Sequence, residues 1–450
     1  MMFAASLLLS FATTVVELPE AVLADDLATA RKLIESGANV KAANAYGVTP
    51  LAIACTNGSG PMVRLLLGAG ADSNTTSPGG ETVLMTAART GNPEAIQALI
   101  AGDANVNAAE PTTGQTALMW AAAEGNVAAL ELLLKAGANA STRLESGFDA
   151  FLFAVREGRI GAVQTLLKAG IDVNDAIVLP EGKRPKNGRA PRAGLSALVL
   201  AVSNAHFELA DVLLEAGANP SSNDAGYTAL HAVTWVRKSG VGDNDPPPDG
   251  SGKLTSLDMV RRLVAKGADI NSRMTKKIGV GMTSLNTLGA TPFLLAARTA
   301  DAELLQLLAK LGADTKIPNA DGATPIIVAA GLGTRSPGED AGTESEVVEA
   351  LQVLVALGAD VNAVDNNGET AMHGAAYKNY PAAVAFLAAH GADPAVWNRK
   401  NKFGWTPLSI AEGYRFGNFK PSAVTVAELH KIMTAAGLSI ASDPTARNRP

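Results

Sequence analysis

Residues 114–139 have the sequence GQTALMWAAAEGNVAALELLLKAGAN, which predicts two short helices joined by a turn. Thr116 is a plausible N-cap, because its hydroxyl can accept a hydrogen bond from an amide in the first helical turn. The run 117–123 is almost wholly apolar, so as a helix it should be buried nearly all round. From Val127 onwards apolar residues recur at spacings of three and four, which is typical of a helix packed on one side. Gly137 then supplies the left-handed backbone common at a helix end. Such a pair of helices cannot cover its own apolar faces and needs a neighbour on each side.

The position of Thr116 recurs along the chain at a nearly constant interval. Five of the nine gaps between successive members lie within one residue of 33, and a sixth is 36. The other three gaps, of 47, 63 and 46 residues, require insertions. The ten members are Thr49, Thr82, Thr116, Asp149, Ser196, Thr228, Thr291, Thr324, Thr370 and Thr406.

The complete pattern, G-x-T-P-L-x-x-A-A followed by L-L-x-x-G-A-D-x-N, resembles the ankyrin repeat. Its first half occurs as GVTPLAIAC from Gly47, GATPFLLAA from Gly289 and GWTPLSIAE from Gly404, and its second half as LLLGAGADSN and LVALGADVN. Ten such motifs in register over 18–440 make the resemblance specific. It implies an all-α solenoid of paired antiparallel helices with short β-hairpin fingers, comprising about ten repeats plus an N-terminal partial cap.

On this reading residues 17–440 form a single ankyrin-repeat solenoid and residues 441–450 a disordered tail. In the geometry that the resemblance implies, insertions 176–193 and 274–288 lengthen fingers. Insertions 238–255 and 332–346 instead separate the two helices of one repeat, at the opposite edge. The latter two are expected to be flexible surface loops. Basic residues should therefore mark the finger edge, with acidic or neutral loops on the other. The insertions, in chain order, are 176–193, 238–255, 274–288 and 332–346.

Residues 1–16 are apolar and resemble the apolar region of a secretory signal peptide. No Lys or Arg precedes the apolar stretch, and the first basic residue is Arg31. A misassigned start or an N-terminal cap helix is the alternative. The stretch is too short to span a bilayer, so no stable membrane insertion is expected. The protein is expected to be periplasmic or secreted if the segment is a signal peptide, and otherwise cytoplasmic.

Composition and motifs argue against several classes of function. The net charge of −6 argues against a nucleic-acid-binding surface. Cys55 is the sole cysteine, which excludes intramolecular disulfides and Cys-rich metal sites. The sequence has no histidine pair at metal-binding spacing and no phosphate-binding loop, so we expect no enzyme activity, no cofactor and no metal. His231 and His373 stand where the ankyrin resemblance implies a histidine that bonds to backbone and steadies adjacent repeats.

The resemblance implies a non-enzymatic scaffold that binds a partner through the concave face, formed by fingers and first helices. The partner is an unidentified protein, with an acidic segment that basic finger loops would steer, and the chain is expected to be a monomer. For Trp235 and Trp405, interface and internal packing are both open. The predicted partner-binding residues are Tyr46, Phe148, Arg184, Lys186, Tyr227, Trp235, Arg298, Tyr377, Lys378 and Trp405.

Two further hypotheses belong to other classes of function. The first is a ligand-binding or catalytic site built from the long insertions, which requires loops predicted on opposite edges to fold together. The second is a structural role, in which the solenoid associates with itself through its aromatic-rich last repeat, 397–438.

Overall fold

The computed structural model describes residues 17–179, 193–238, 248, 250–280, 283–415 and 421–441. The expected signal peptide, nearly all of the tail, and most of insertions 176–193 and 238–255 lie outside these ranges. The internal contacts divide the chain into two compact units, with the boundary in the sequence between Ile171 and Asp172. A single domain over 17–440 therefore stays a prediction, and each unit is described by itself.

Unit 1 is a stack of five helix pairs in its described residues. The first helix of each pair packs on the first helix of the next, as α5 does on α7 and α7 on α9. The pair α1–α2 is the partial repeat expected to cap the stack. The helices are α1 (Leu18–Leu23), α2 (Leu27–Glu35), α3 (Pro50–Thr56), α4 (Gly60–Gly68), α5 (Val83–Thr90), α6 (Pro93–Ala101), α7 (Ala117–Glu124), α8 (Val127–Lys135), α9 (Ala150–Arg156) and α10 (Ile160–Lys168).

Unit 2 continues the alternation with six helix pairs and one extra short helix, α21, in the part that the structure describes. Here too the first helices form one row, in which α15, α17, α19 and α22 are successive neighbours. The helices are α11 (Ala197–Ser203), α12 (Phe207–Glu215), α13 (Ala229–Arg237), α14 (Ser256–Ala265), α15 (Pro292–Arg298), α16 (Ala302–Lys310), α17 (Pro325–Ala330), α18 (Glu344–Ala356), α19 (Ala371–Lys378), α20 (Pro381–Ala389), α21 (Pro394–Trp397), α22 (Pro407–Ala411) and α23 (Ala423–Ala435).

The recurring Thr116 position is the N-cap of each first helix, as predicted. The Thr116 hydroxyl accepts the amide of Met119, and the Asp149 carboxylate accepts that of Leu152 at 2.9 Å. The predicted fingers are tight turns, and in the described residues their strand pairing is limited to isolated bridges such as the one between Thr76 and Thr82. The all-α ankyrin-type architecture is thereby confirmed.

A histidine three residues after the N-cap completes a capping box in two repeats of unit 2. Nδ1 of His231 accepts the Thr228 amide at 3.1 Å, and Nε2 lies 3.1 Å from the carbonyl of Ala290 in the next repeat. His373 makes the same pair of contacts, to Thr370 and Arg399. Burial lowers the pKa of both imidazoles to about 4, so both are neutral at physiological pH. Their predicted structural role is confirmed.

Insertion 332–346 departs from its prediction. It is not a loose loop, because Thr334, Ser336 and Asp340 are buried, and its last three residues begin α18. Nor does it lie opposite insertion 274–288: Thr283 bridges Thr334, and the amide of Ser284 donates to the Gly333 carbonyl at 2.8 Å. The expectation of opposite edges is wrong for this pair, since the loop after α17 turns back across the first-helix row.

The aromatic last repeat places its largest side chain inside. Trp397 of α21 is only 2% exposed, and its indole N–H donates to the carbonyl of Ala392 at 3.3 Å. It therefore fills the core beside α19 rather than presenting an apolar surface. Self-association through this repeat gains no support from Trp397.

Candidate partner-binding pocket

The residues predicted to bind a partner have very different environments. Arg184 and Lys186 lie outside the described residues. Tyr46, at a finger of unit 1, is 82% exposed. Trp235 is half-buried, and its ring meets that of Tyr227 edge-on with centroids 5.1 Å apart. The remaining predicted residues are buried: Phe148, Tyr227, Arg298, Tyr377, Lys378 and Trp405.

In unit 1 the first-helix ends carry arginines stacked on aromatic rings. The guanidinium of Arg156 lies 5.4 Å from the ring centre of Phe148 and 4.9 Å from that of Phe153. Arg89 lies over Trp120 at 5.3 Å. Each arrangement leaves the cation at the surface, so these sites could meet a partner with little rearrangement. Trp120 was not among the predicted partner-binding residues, because it lies within the apolar run of α7.

In unit 2 Arg298 and Lys378 hold the inserted loop instead of facing solvent. Arg298 is 4% exposed and donates to the carboxylate of Asp340 at 2.8 Å. The ammonium of Lys378 donates to the carbonyl of Ala341 at 2.5 Å, and burial lowers its pKa. Their expected position on an exposed helix end is wrong, because loop 332–343 covers both side chains. Their binding role is untested by these contacts.

A pocket of about 400 Å³ lies between the fingers and the first helices of unit 2. Three successive fingers contribute to it, through Asn319 and Asp321, through Asp365, Asn367 and Glu369, and through Lys402, Phe403 and Trp405. Tyr377 enters from α19, and the joined insertions close one side with residues 284–286 and 332–335. The pocket thus occupies the face on which binding was predicted.

Aromatic rings form one wall of this pocket. The rings of Phe403 and Trp405 are tilted against each other with centroids 5.1 Å apart. Trp405 is 5% exposed, whereas Phe403 is half-buried at the opening. Trp405 is therefore packed in the interior and also lines the pocket wall, and its role in binding a partner stays a prediction.

Glu369 is the more deeply buried of two buried acidic groups in the pocket, the other being Asp365. Its Oε1 accepts hydrogen bonds from the Tyr377 hydroxyl at 3.1 Å and from the Asn401 amide at 2.8 Å. Its Oε2 has no hydrogen-bond partner among the described residues, although the residue is 3% exposed. Burial and, secondarily, the charge of Asp365 raise the pKa of Glu369 to about 7, against the lowering effect of the two hydrogen bonds.

The other charged groups of the pocket mostly form hydrogen bonds with neighbouring groups. Asp365 accepts the amides of Asn367 and Glu369, each at 2.8 Å, and shapes its own finger. Asp321 accepts the side-chain amide of Asn286 at 2.9 Å, which ties insertion 274–288 to the next finger. Lys402 donates to the side chain of Asn367 at 2.7 Å. Glu369 is therefore the pocket group with an unsatisfied buried oxygen.

Sequence reasoning missed Glu369 for a definable reason. It occupies the variable position of G-x-T, where Glu81 stands in another repeat. Its surroundings differ from those of Glu81 through loop 332–335 and the aromatic finger 403–405. Both of these segments reach Glu369 through contacts between repeats. The spacing of the motif carries no signal of that kind.

Other candidate sites gain no support from the structure. Burial raises the pKa of the Cys55 thiol to about 12, in keeping with a packed side chain. Among the described residues no group of three potential ligands is arranged to hold a metal ion. None of the described helices has both the length and the apolar character needed to cross a membrane.

The stacked helix pairs, capped first helices and glycine-turned fingers define a helical repeat protein. The family model "Ankyrin repeats (3 copies)" matches residues 18–110, 103–177 and 341–419, and "Ankyrin repeat" matches 193–225. These matches cover more than half of the residues, and the chain belongs to the ankyrin-repeat family. Ankyrin repeats generally mediate protein–protein interaction, and proteins of this family are typically non-enzymatic scaffolds.

Curated relatives share the repeats over part of the chain. Human neurogenic locus notch homolog protein 1 is 33% identical over 198 residues, 44% of this chain and 6% of that protein. Human neurogenic locus notch homolog protein 2 is 34% identical over 240 residues, 52% of this chain and 8% of that protein. The matched stretch is a small part of both relatives.

Proposed function

We propose that this chain is a non-enzymatic interaction module that binds a segment of a partner protein through the fingers and first helices of unit 2. The observation that carries the proposal is the pocket of about 400 Å³ on that face. Its lining comes from three successive fingers, α19 and the joined insertions, and hydrogen bonds among these segments shape the pocket before a partner docks. A preformed site loses little conformational entropy when a partner docks.

The shape and chemistry of the pocket favour an extended segment of a protein. A pocket of this size admits one or two side chains, and the exposed apolar residues Leu288 and Val364, which are close in sequence to its lining, can contact flanking residues. Aromatic groups at its wall are of the type that most often anchors interfaces. The expected export through residues 1–16 would place such a partner in the periplasm or outside the cell.

The proposal is tested by filling the pocket from its opening. Ser284 is exposed and lines the pocket, so Ser284→Trp adds bulk there. It removes the hydrogen bond from the Ser284 hydroxyl to the Gly333 carbonyl, which still accepts from the Thr283 hydroxyl and the Ser284 amide. The matched control is Ser36→Trp, at an exposed helix end in unit 1. The experiment is affinity capture from extracts of the native host. The amount of partner that Ser284→Trp retains should be at least about tenfold lower than the amounts retained by the wild type and by the control. Equal retention by all three proteins would overturn the assignment to this face.

A second candidate, a small-molecule site, is favoured by one observation. The pocket is closed by parts of two insertions, which is the arrangement that the ligand-binding hypothesis required. A small ligand would raise the melting temperature of the wild type and of Ser36→Trp, but not that of Ser284→Trp. A metabolite screen with no such differential shift would remove this candidate.

A further inference from the structure

We infer that the pocket recognises the guanidinium group of an arginine carried by the partner segment, with Glu369 as its acceptor. This inference rests on the proposed function and specifies the chemistry of its ligand. It starts from the unsatisfied buried Oε2 of Glu369. A buried acceptor without a donor costs free energy, and a ligand that supplies the donor recovers that cost on binding.

The surroundings of Glu369 select a cation over a neutral donor. Asp321 and Asp365 also line the pocket, so three carboxyl groups converge on a space of about 400 Å³. The positive groups are nearer the outside: Arg335 and Lys402 are exposed, and Lys402 is hydrogen-bonded to Asn367. A cation that reaches the interior therefore meets negative charge in a site of reduced dielectric.

The aromatic wall selects guanidinium over ammonium. Phe403 and Trp405 present tilted rings beside the acidic group. A planar guanidinium stacks on aromatic faces and donates in a fork to a carboxylate, whereas an ammonium group is compact and more strongly hydrated. Lys402 already lies 5.1 Å from the ring centre of Phe403, which shows that the outer ring accepts a cation.

The same geometry couples binding to a proton. In the free protein burial favours the neutral form of Glu369, while a bound guanidinium favours the carboxylate. The charged and titratable groups around it are Asp321 and Asp365 on neighbouring fingers, Lys402 on the next finger, Arg335 on the loop after α17, Tyr377 on α19, and Arg415, which donates to the Tyr377 carbonyl. Affinity should rise with pH up to about 7 and level off above it.

The test begins with a random peptide library displayed on phage and selected against the full chain at pH 8. Peptides that bind the wild type and the Ser36→Trp control, but not Ser284→Trp, are pocket ligands, and arginine should be enriched in them. A synthetic copy of a selected peptide and its arginine-to-citrulline counterpart are then compared by calorimetry. Citrulline keeps the shape and removes the charge, and it should weaken binding at least about tenfold. A lysine counterpart should bind between the two.

Glu369→Gln supplies the protein side of the test. It keeps an oxygen for Tyr377 and Asn401 but cannot become charged. It should reduce the preference for arginine over citrulline to less than about twofold and abolish the pH dependence. Glu339→Gln, which changes an exposed carboxyl on insertion 332–346, should leave the preference for arginine and the pH dependence unchanged. Tyr377→Phe removes a hydrogen bond that lowers the pKa of Glu369, so it should move the midpoint of the pH profile upwards.

Two failures are distinguishable. If pocket ligands lack arginine, or if citrulline binds equally well, the guanidinium assignment is wrong while the proposed function stands. If no selected peptide is sensitive to Ser284→Trp, the proposed function fails as well. Should Glu369→Gln not fold, the pH midpoint of Tyr377→Phe decides the matter, since an unshifted midpoint would also contradict the inference.

Discussion

Arg156 in unit 1 and Arg298 in unit 2 occupy the same position of the repeat, seven residues after the capping Asp149 or Thr291. Arg156 has 43% of its side chain exposed and stacks on two phenylalanines. Arg298 has 4% exposed and is ion-paired to Asp340. The repeat motif therefore determines where a side chain begins, but the neighbouring loop determines whether it meets solvent. An inserted loop converts a surface position of the repeat into an interior one.

The largest expected effect comes from breaking the buried pair. Arg298→Ala should destabilise unit 2 by about 3–5 kcal/mol, because it leaves the Asp340 carboxylate buried without its cation. Hydrogen exchange should show lost protection in loop 332–343 and α15. Arg156→Ala is the matched control at the same repeat position. If both variants lost a similar free energy of unfolding, burial of the arginine would not explain the contribution of Arg298 to stability.

The stability cost of Glu369 should be of the order of 3 kcal/mol. Its pKa is about 7 in the folded protein and 4.5 as a free side chain, so between these values the folded state binds more protons than the unfolded state. The protonated form of Glu369 therefore contributes its full stabilisation below about pH 4.5, and the free energy of unfolding falls as the pH rises through 7. Glu369→Gln should stabilise unit 2 by up to about 3 kcal/mol at pH 8 and by little at pH 4.

Urea unfolding followed at several pH values measures this difference. Glu339→Gln, which alters an exposed carboxyl, should show no comparable trend. A stabilisation that does not depend on pH would mean that Glu369 ionises as an exposed carboxyl does. Burial in unit 2 would then have no effect on the charge of this group.

The smallest effect is expected at the stacked arginines of unit 1. Arg89→Ala should cost less than about 1 kcal/mol, because Arg89 is exposed over Trp120 and solvent screens the interaction. The measurement is the urea midpoint of unit 1, with Arg31→Ala on α2 as the exposed control. A loss of several kcal/mol would show that an exposed arginine in the regular repeats stabilises the fold as much as the buried Arg298 does in the interrupted ones.

Much of the fold follows from local pattern. Thr116, Asp149 and Thr291 cap their helices where the spacing predicts. The predicted histidine contacts form because the motif places each imidazole beside its own cap and the next finger. Such features depend on residues within one repeat or its immediate neighbour, where the 33-residue interval keeps geometry constant.

The candidate site was only partly predictable. Tyr377 and Trp405 were selected from their repeat positions and both line the pocket. Glu369 was not selected, and Arg298 and Lys378 were placed on the surface although they are buried. These errors share one cause, since the path of loop 332–343 depends on contacts with insertion 274–288 that no repeat interval encodes.

The sequence by itself determined the class of fold, the helix caps and the register of the repeats, because these depend on short-range hydrogen bonds and on apolar periodicity. Tertiary structure alone decided that two insertions meet, that Arg298 is paired in the interior, and that Glu369 is buried in a pocket wall with one carboxylate oxygen lacking a hydrogen-bond donor. Burial and pKa depend on what covers a side chain. In unit 2 Asp340, Ala341 and Asn401 lie 42, 37 and 32 positions in the sequence from the side chains that they contact, those of Arg298, Lys378 and Glu369.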